Sequence, residues 1–225
     1  MDQFQRIQQL NPDLTINHIK STAFAKYGRV YEEEFDTSVY LDFLAKKVTL
    51  PKNTPTSFFP NAKKMTKCPA SVDIARYVFG GLNIQVGYSA SLNSRVNQLE
   101  YHKTSEVSVG LNDHILFLGD PARLFNNRFD TGDLEIFYVP ADTLYELYPR
   151  VLHSMPCKVS AEGCRNAVIN LDTAYHAPSF KGTYTAESKI LILVNTWLIA
   201  HRQTPGAAEA GIPLSLDGEN IEIRY

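Results

Sequence analysis

From about residue 74 onward the chain alternates apolar and polar side chains in short runs, the period of a strand rather than of a helix. The runs predict strands near 74–79, 83–89, 97–102, 106–111, 113–118, 134–139, 144–148, 151–156, 164–171 and 189–194. Turn-forming residues separate them: Gly80-Gly81, Asn112-Asp113, Gly119-Asp120-Pro121 and Thr131-Gly132-Asp133. Many short strands without alternating helices predict a β-sandwich or small antiparallel barrel. Helical periodicity is confined to the front of the chain. Residues 2–10 fit a short amphipathic helix that Asn11-Pro12 ends, and residues 37–47 fit a second with Thr37 as its cap.

Residues 1–73 carry apolar side chains of their own (Phe24, Tyr27, Val30, Tyr31, Phe35) and no linker follows them. They are expected to pack as an extension on a barrel of residues 74–195, the whole forming one domain. Residues 196–225 contain Pro205-Gly206 and Gly211-Ile212-Pro213 and are expected to form an irregular arm, either covering a sheet edge or meeting a second copy in a homodimer.

Against this pattern, six residues read as a metal pocket: Glu100-Tyr101-His102, Glu106, Glu146 and His153. Glu100, His102 and Glu106 occupy even positions of the run QLEYHKTSEVSVGL, and side chains at i, i+2 and i+6 of a strand share one face. A hairpin with Lys103-Thr104-Ser105 at its tip would instead set His102 opposite Glu106. If Pro149-Arg150 form a two-residue turn, Glu146 and His153 stand directly opposite, with Cβ atoms about 4.5–5.5 Å apart. Two His and two or three Glu on inward strand faces suit a divalent first-row metal: Zn, Mn, Fe or Ni. A solvated polar face, or a buried His bonded to a backbone carbonyl, would account for either pair taken alone.

Composition narrows the class. In 225 residues, 44% are hydrophobic and 20% charged, which is ordinary for a globular chain with a sizeable core. A net charge of -2 and a pI near 6.3 argue against a nucleic-acid partner, which usually meets a basic stripe. The basic cluster Lys63, Lys64 and Lys67 reads as a solvated loop. No run approaches the roughly 18 apolar residues of a membrane span. The polar start MDQFQRIQQLNPDL lacks a signal-peptide core, which predicts a cytoplasmic protein. Cys68, Cys157 and Cys164 are odd in number and lack CxxC spacing, so they read as free thiols. A nucleophilic Cys157 beside His153 has no supporting motif, and GxGxxG, Walker A, GxSxG and HExxH are absent. His18, His114, His176 and His201 are not expected to touch a metal; His114 is expected at a hairpin tip.

The segment Glu100-x-His102-x3-Glu106 resembles the first motif of the cupin superfamily, His-x-His-x3or4-Glu, with a glutamate for its first histidine. Pro140-Ala141-Asp142-Thr143-Leu144-Tyr145-Glu146 resembles the second, Pro-x-Gly-x2-His, with Asp142 for the glycine and Glu146 one residue late. YGRVYEEEFD, VGYSASLNSRVNQLEYHKTSEVSV, VLHSMPC and NTWLIAH together resemble a bacterial family of cupin-like proteins classed only as a domain of unknown function. A looser likeness is to ureidoglycolate lyase. These resemblances imply a mainly β fold: a cupin-like antiparallel β-barrel (jelly roll) with a short α/β N-terminal extension. They also imply a small polar metabolite as ligand.

The expectation that follows is a metal-dependent isomerase or lyase of carbohydrate metabolism, acting on a sugar, sugar acid or small hydroxy acid. His102, Glu106, Glu146 and His153 would hold the metal as a Lewis acid, and Glu100 would move the proton. Its being a further ligand, or an ion-pair partner, is the alternative. Arg95, Asn97, Tyr88 and Tyr148 are the candidate substrate contacts. The alternative functions are a non-catalytic cupin that binds or senses a sugar-like ligand, and a structural protein without metal.

Overall fold

The structure, a computed structural model, describes residues 1–179 and 182–225. Nine strand segments make its central sandwich: β1 (Ile84–Ser91), β2 (Gln98–Tyr101), β3 (Glu106–Gly110), β4 (His114–Gly119), β5 (Glu135–Val139), β6 (Leu144–Leu147), β7 (Leu152–His153), β8 (Cys157–Lys158) and β9 (Cys164–Leu171). One sheet has the order β1-β9-β3-β6, and the sheet facing it the order β2-β7-β4-β5 with β8 also on β4. All of these pairings are antiparallel. The chain crosses between sheets at nearly every connection. With β7 and β8 as two pieces of one strand, these are the two four-stranded orders of a jelly roll. The fold is mainly β and cupin-like, in line with the strand pattern of the sequence.

The first 73 residues are woven into both sheets. Gly28–Tyr31 pairs with β6 and Thr56–Phe59 with β1, while Ile16–His18 runs parallel to β5. Three helices, α2 (Ser38–Lys47), α3 (Lys63–Thr66) and α4 (Pro69–Tyr77), follow α1 (Gln3–Leu10). Asp2 and Gln5 close a capping box on α1, which stops at Asn11 before Pro12. Thr37 does precede α2, but its hydroxyl goes to Asp142 rather than to the helix backbone.

Residues 74–79 are not a strand. Pro69 at the first turn starts α4, and Ala70 and Ile74, one turn apart, bury one face beside Met65 of α3. The β-branched Val72, Ile74 and Val78 favour a strand locally; tertiary packing overrides them. Lys63 and Lys64 also lie on a helix, not in a loop. The arm after residue 195 is more regular than expected, since Thr196–Ala200 adds to the sheet beside β2 and Leu216–Asp217 pairs with Phe129–Asp130.

Most positions of β1, β3, β4 and β6 are buried on both faces. The apolar face of the first sheet (Val86, Val107, Val109, Ala167, Ile169) points outward, under Tyr40, Leu44, Met65 and Ile74 of the helices. The second sheet turns Ile115, Phe117, Ile136 and Leu152 outward beneath Ile7 of α1. Between the sheets, one end is filled by Phe24, Tyr27, Leu116, Leu118, Phe137 and Leu147. The other end is polar: Gln85, Ser89, Glu106, Asn166 and Asn170 are buried there. No helix among the described residues is long and apolar enough to cross a membrane. All three cysteines are free and buried; burial pushes the Cys157 thiol far up, so it has no thiolate to offer as a nucleophile.

His114 is buried in the sandwich, not exposed at a hairpin tip. Its Nδ1 lies 3.0 Å from the Asn112 carbonyl, and its Nε2 lies 3.3 Å from the Tyr145 hydroxyl and 3.2 Å from Asn166 Nδ2. Gly110 leaves the room, because a Cβ there would come within 2.8 Å of the ring. Burial pushes the His114 pKa down to about 4. The unfolded chain therefore binds a proton between pH 6.5 and about 4 that the folded chain refuses, and stability falls as pH falls through that window, by about 3 kcal/mol in total. Urea unfolding of wild type and His114→Asn across that window is expected to show a shallower pH slope in the variant, by up to one proton. Equal slopes would remove His114 as the titrating group.

Candidate metal centre

Cross-strand register sets the cluster. His153 of β7 pairs with Glu100 of β2 on one side and with Leu118 of β4 on the other, and all three face the space between the sheets. His102 follows β2 directly. Glu106 opens β3 in the facing sheet, where its partner Leu147 also points inward. The four polar side chains thus converge from two sheets. His102 Nε2 lies 3.3 Å from Glu106 Oε2, and His153 Nε2 lies 3.7 Å from Glu106 Oε1 and 3.8 Å from Glu100 Oε1. The imidazole centroids are 5.3 Å apart. Glu100, His102 and His153 each offer a donor atom, with all three atoms within 4.8 Å of one another.

Both imidazoles are oriented by backbone carbonyls. His102 Nδ1 lies 2.7 Å from the Asn195 carbonyl and His153 Nδ1 lies 3.0 Å from that of Val151. A carbonyl only accepts, so each Nδ1 carries a proton and each Nε2 edge faces the carboxylates, that of His153 also lining the cavity. This is the orientation that a metal-binding histidine requires. His153 Nε2 is buried with no hydrogen-bond partner among the described residues, an omission that costs about 1–3 kcal/mol unless a ligand meets it.

Two residues that sequence patterning did not single out complete the cluster. The Tyr175 hydroxyl donates to Glu106 Oε2 at 3.0 Å and lies 3.0 Å from His102 Nε2. Asn170 Nδ2 donates to Glu106 Oε2 at 2.8 Å. Asn170 had a legible signal, since Asn166 and Asn170 recur on one face of an otherwise apolar strand. Tyr175 had none; it reaches the site from a loop, with a left-handed φ of 65°.

The two carboxylates differ electrostatically. Burial raises the pKa of Glu100, against the pull of His102 and His153, and no described group hydrogen-bonds its side chain. Burial also opposes ionisation of Glu106. There, however, the nearby imidazoles and the bonds from His102 and Asn170 win, holding the carboxyl well below its usual range. For His102, burial favours the neutral ring, but the Glu106 bond and both carboxylates outweigh it and raise the pKa. The cavity itself is small, about 20 Å³, enough for one water-sized occupant, and Phe58, Met155 and Tyr145 are among its walls. No Lys or Arg among the described residues lines it.

The remaining sequence candidates lie elsewhere. Glu146 pairs with Val107 and Arg29 on the outer face of the first sheet. There it accepts from Arg29 Nε at 2.9 Å, the Tyr31 hydroxyl at 2.7 Å and Ser105 Oγ at 2.6 Å. The turn at Pro149-Arg150 does form, with Val151 N 3.2 Å from the Tyr148 carbonyl, but it joins strands of different sheets. Glu146 and His153 are therefore not a cross-strand pair. The same holds for His102 and Glu106, whose connection crosses between sheets instead of folding a hairpin. Tyr88 also faces outward, stacked on Phe59 at 5.3 Å, and Tyr148 is partly exposed. Arg95 is held by Glu222 and the Asn220 carbonyl, away from the cluster. Asn97 is bonded to Asn93 and Asn220 and borders a neighbouring cavity.

Residues 16–221 match the family model described as a domain of unknown function, DUF4867, and the chain belongs to that family. No curated protein matches it, and the looser likeness to ureidoglycolate lyase is unsupported. Among solved structures, the non-heme alpha ketoglutarate dependent epimerase SnoN from nogalamycin biosynthesis is 14% identical, with 80% of this chain and 92% of that one covered at a TM-score of 0.41. EctD from S. alaskensis is 12% identical over 68% of this chain and 77% of its own, at 0.38. Vicilin from Corylus avellana (hazelnut) is 6% identical over 76% of this chain at 0.37, and this chain spans 41% of that protein. The jelly-roll assignment rests on the strand orders, not on these likenesses.

Glu146→Gln is expected to leave bound metal unchanged by elemental analysis while lowering unfolding stability by about 1–2 kcal/mol, the half-exposed Arg29 being partly screened. His153→Ala is expected to lose metal. Metal loss in Glu146→Gln would return that carboxylate to the ligand set.

Proposed function

We propose that the chain is a metal-dependent enzyme, an isomerase or lyase acting on a sugar, sugar acid or small hydroxy acid, in which His102, His153 and Glu106 hold a divalent ion and Glu100 moves a proton. The observation that carries this reading is the convergence of two imidazole Nε2 edges and two carboxylates beside a buried cavity that no Lys or Arg among the described residues lines. The imidazoles, Asn170 and Tyr175 compensate Glu106, but an ionised Glu100 has no hydrogen-bond partner among the described residues, and a cation would meet it and the orphaned His153 Nε2 together. Two imidazoles with carboxylate oxygens suit Zn, Mn, Fe or Ni.

When bound, such an ion would polarise a substrate carbonyl or hydroxyl. The protein's own groups divide the rest of the work. Glu106, kept ionised and fixed by Asn170 and Tyr175, suits a permanent ligand. Glu100, with its raised pKa and unbonded carboxylate, suits proton transfer. It takes the proton from C2, beside the C1 carbonyl, and returns it to C1 while the C2 hydroxyl proton passes to O1, which isomerises an aldose to a ketose with atoms conserved. In the lyase case the same abstraction accompanies loss of a hydroxyl as water. Phe58, Met155 and Pro156 exclude bulk water from the exchange.

Glu100→Gln is expected to keep metal content while reducing turnover about 10²–10⁴-fold, measured over a panel of aldoses, ketoses and hydroxy acids. Loss of metal in that variant would make Glu100 a ligand. Unchanged turnover would take it out of the mechanism, and a metal-loaded wild type without turnover would favour the binding-protein alternative.

A further inference from the structure

Beside the metal-site cavity lies a second, larger one of about 270 Å³. Met155 lines both. Thr56 and Gln98 line the second, and Phe58 and Glu100, two residues further along the same strands, line the first. Side chains at i and i+2 share a face, so the second cavity continues the space between the sheets past Met155. Gln98 stands one pleat repeat from Glu100, about 6.6–6.8 Å along β2 and roughly the length of a five- or six-carbon chain.

The chemistry of this outer cavity is neutral. No Asp, Glu, Lys or Arg among the described residues lines it, and its walls combine amides and hydroxyls with Val96, Pro55 and Pro205. Most of its polar groups are already committed. Asn97 Nδ2 donates to Asn93 Oδ1 at 2.8 Å, Asn97 Oδ1 accepts from Asn220 at 2.9 Å, and Thr204 Oγ1 donates to the Asn97 carbonyl at 2.5 Å. The Gln98 amide and the Thr56 hydroxyl have no such partner among the described residues. A carboxylate placed here would be desolvated without a counter-charge, whereas hydroxyls would meet a donor and acceptors.

The geometry points to a substrate whose far end is uncharged and hydroxylated, held by Gln98 and Thr56 in the outer cavity while its reacting end sits at the carboxylate–imidazole cluster, with Met155 between them. This deepens, and rests on, the metal-dependent reading above, and it selects neutral aldoses or polyols over sugar acids charged at the far end. D-glucose and D-glucuronate share an aldehyde end and differ only at the other, a neutral hydroxymethyl against a carboxylate, so they separate the classes.

The test is calorimetric titration of the full chain, loaded with Mn²⁺, with each sugar. D-glucose is expected to bind at least about tenfold more tightly than D-glucuronate, the equivalent of about 1.4 kcal/mol. Gln98→Leu combined with Thr56→Val is expected to weaken D-glucose at least tenfold with manganese content unchanged, and Gln98→Lys is expected to reverse the preference. Failure of wild type to bind D-glucose, equal or tighter binding of D-glucuronate, or full affinity in the double variant overturns the inference. Failure of wild type to take up Mn²⁺ overturns the metal reading instead. The same titrations on the metal-free chain then decide the outer subsite separately, by whether D-glucose binds and whether the double variant loses it.

Discussion

A carboxylate cannot stay ionised between two packed sheets without groups to compensate it, and this jelly roll sets a buried Glu106 and a largely buried Glu100 beside a pair of imidazoles. That constraint organises the interior. Glu106 is bonded by Asn170 and Tyr175 and faces both histidines, while the histidines are pinned from behind by the carbonyls of Val151 and Asn195. Each partner comes from a different element: β7, β9, the turn after β2, and loops 172–178 and 194–195. Precision at the cluster therefore depends on the sandwich as a whole. A shift of one residue in the β2–β7 register would turn Glu100 to the outer face.

The polar interior is sustained by an unusual division of apolar surface. A sandwich commonly buries its apolar faces against each other. Here only one end of the inter-sheet space is apolar, filled by Phe24, Tyr27, Phe137 and their neighbours. Much of the apolar area lies on the outer faces, where α2, α3 and α4 cover one sheet and α1 with the C-terminal segment covers the other. The N-terminal 73 residues thus shape the polar interior indirectly. By burying the outer faces they supply stabilisation that leaves the inner space free for polar groups, whose own burial contributes little or opposes folding.

The separation of Glu146 from the cluster follows from the same two-sheet construction. On β6 the alternate residues Tyr145 and Leu147 face inward, so Glu146 must face outward, and Arg29 and Tyr31 on the neighbouring edge strand meet it there. Its resemblance to a cupin ligand position is one of sequence distance alone. The carboxylate–imidazole cluster instead recruits Tyr175 through a loop, which no periodicity marks.

Much of the jelly roll was legible in the chain: period-two runs located most of β1 to β9, and Gly, Asn and Pro marked the turns between them. Local chemistry also determined which residues share a face, because alternation follows from strand geometry whatever the surroundings. Hence Glu100, His102, Glu106 and His153 were identifiable as polar intruders in apolar runs. Which face is inside was decided only by tertiary structure, since alternation has no sign, and the covering helices reversed the usual choice. Pairing partners were likewise beyond local reading. His153 meets Glu100 rather than Glu146, and residues 74–79 become helix rather than strand, because long-range packing outweighs propensities worth well under a few kcal/mol.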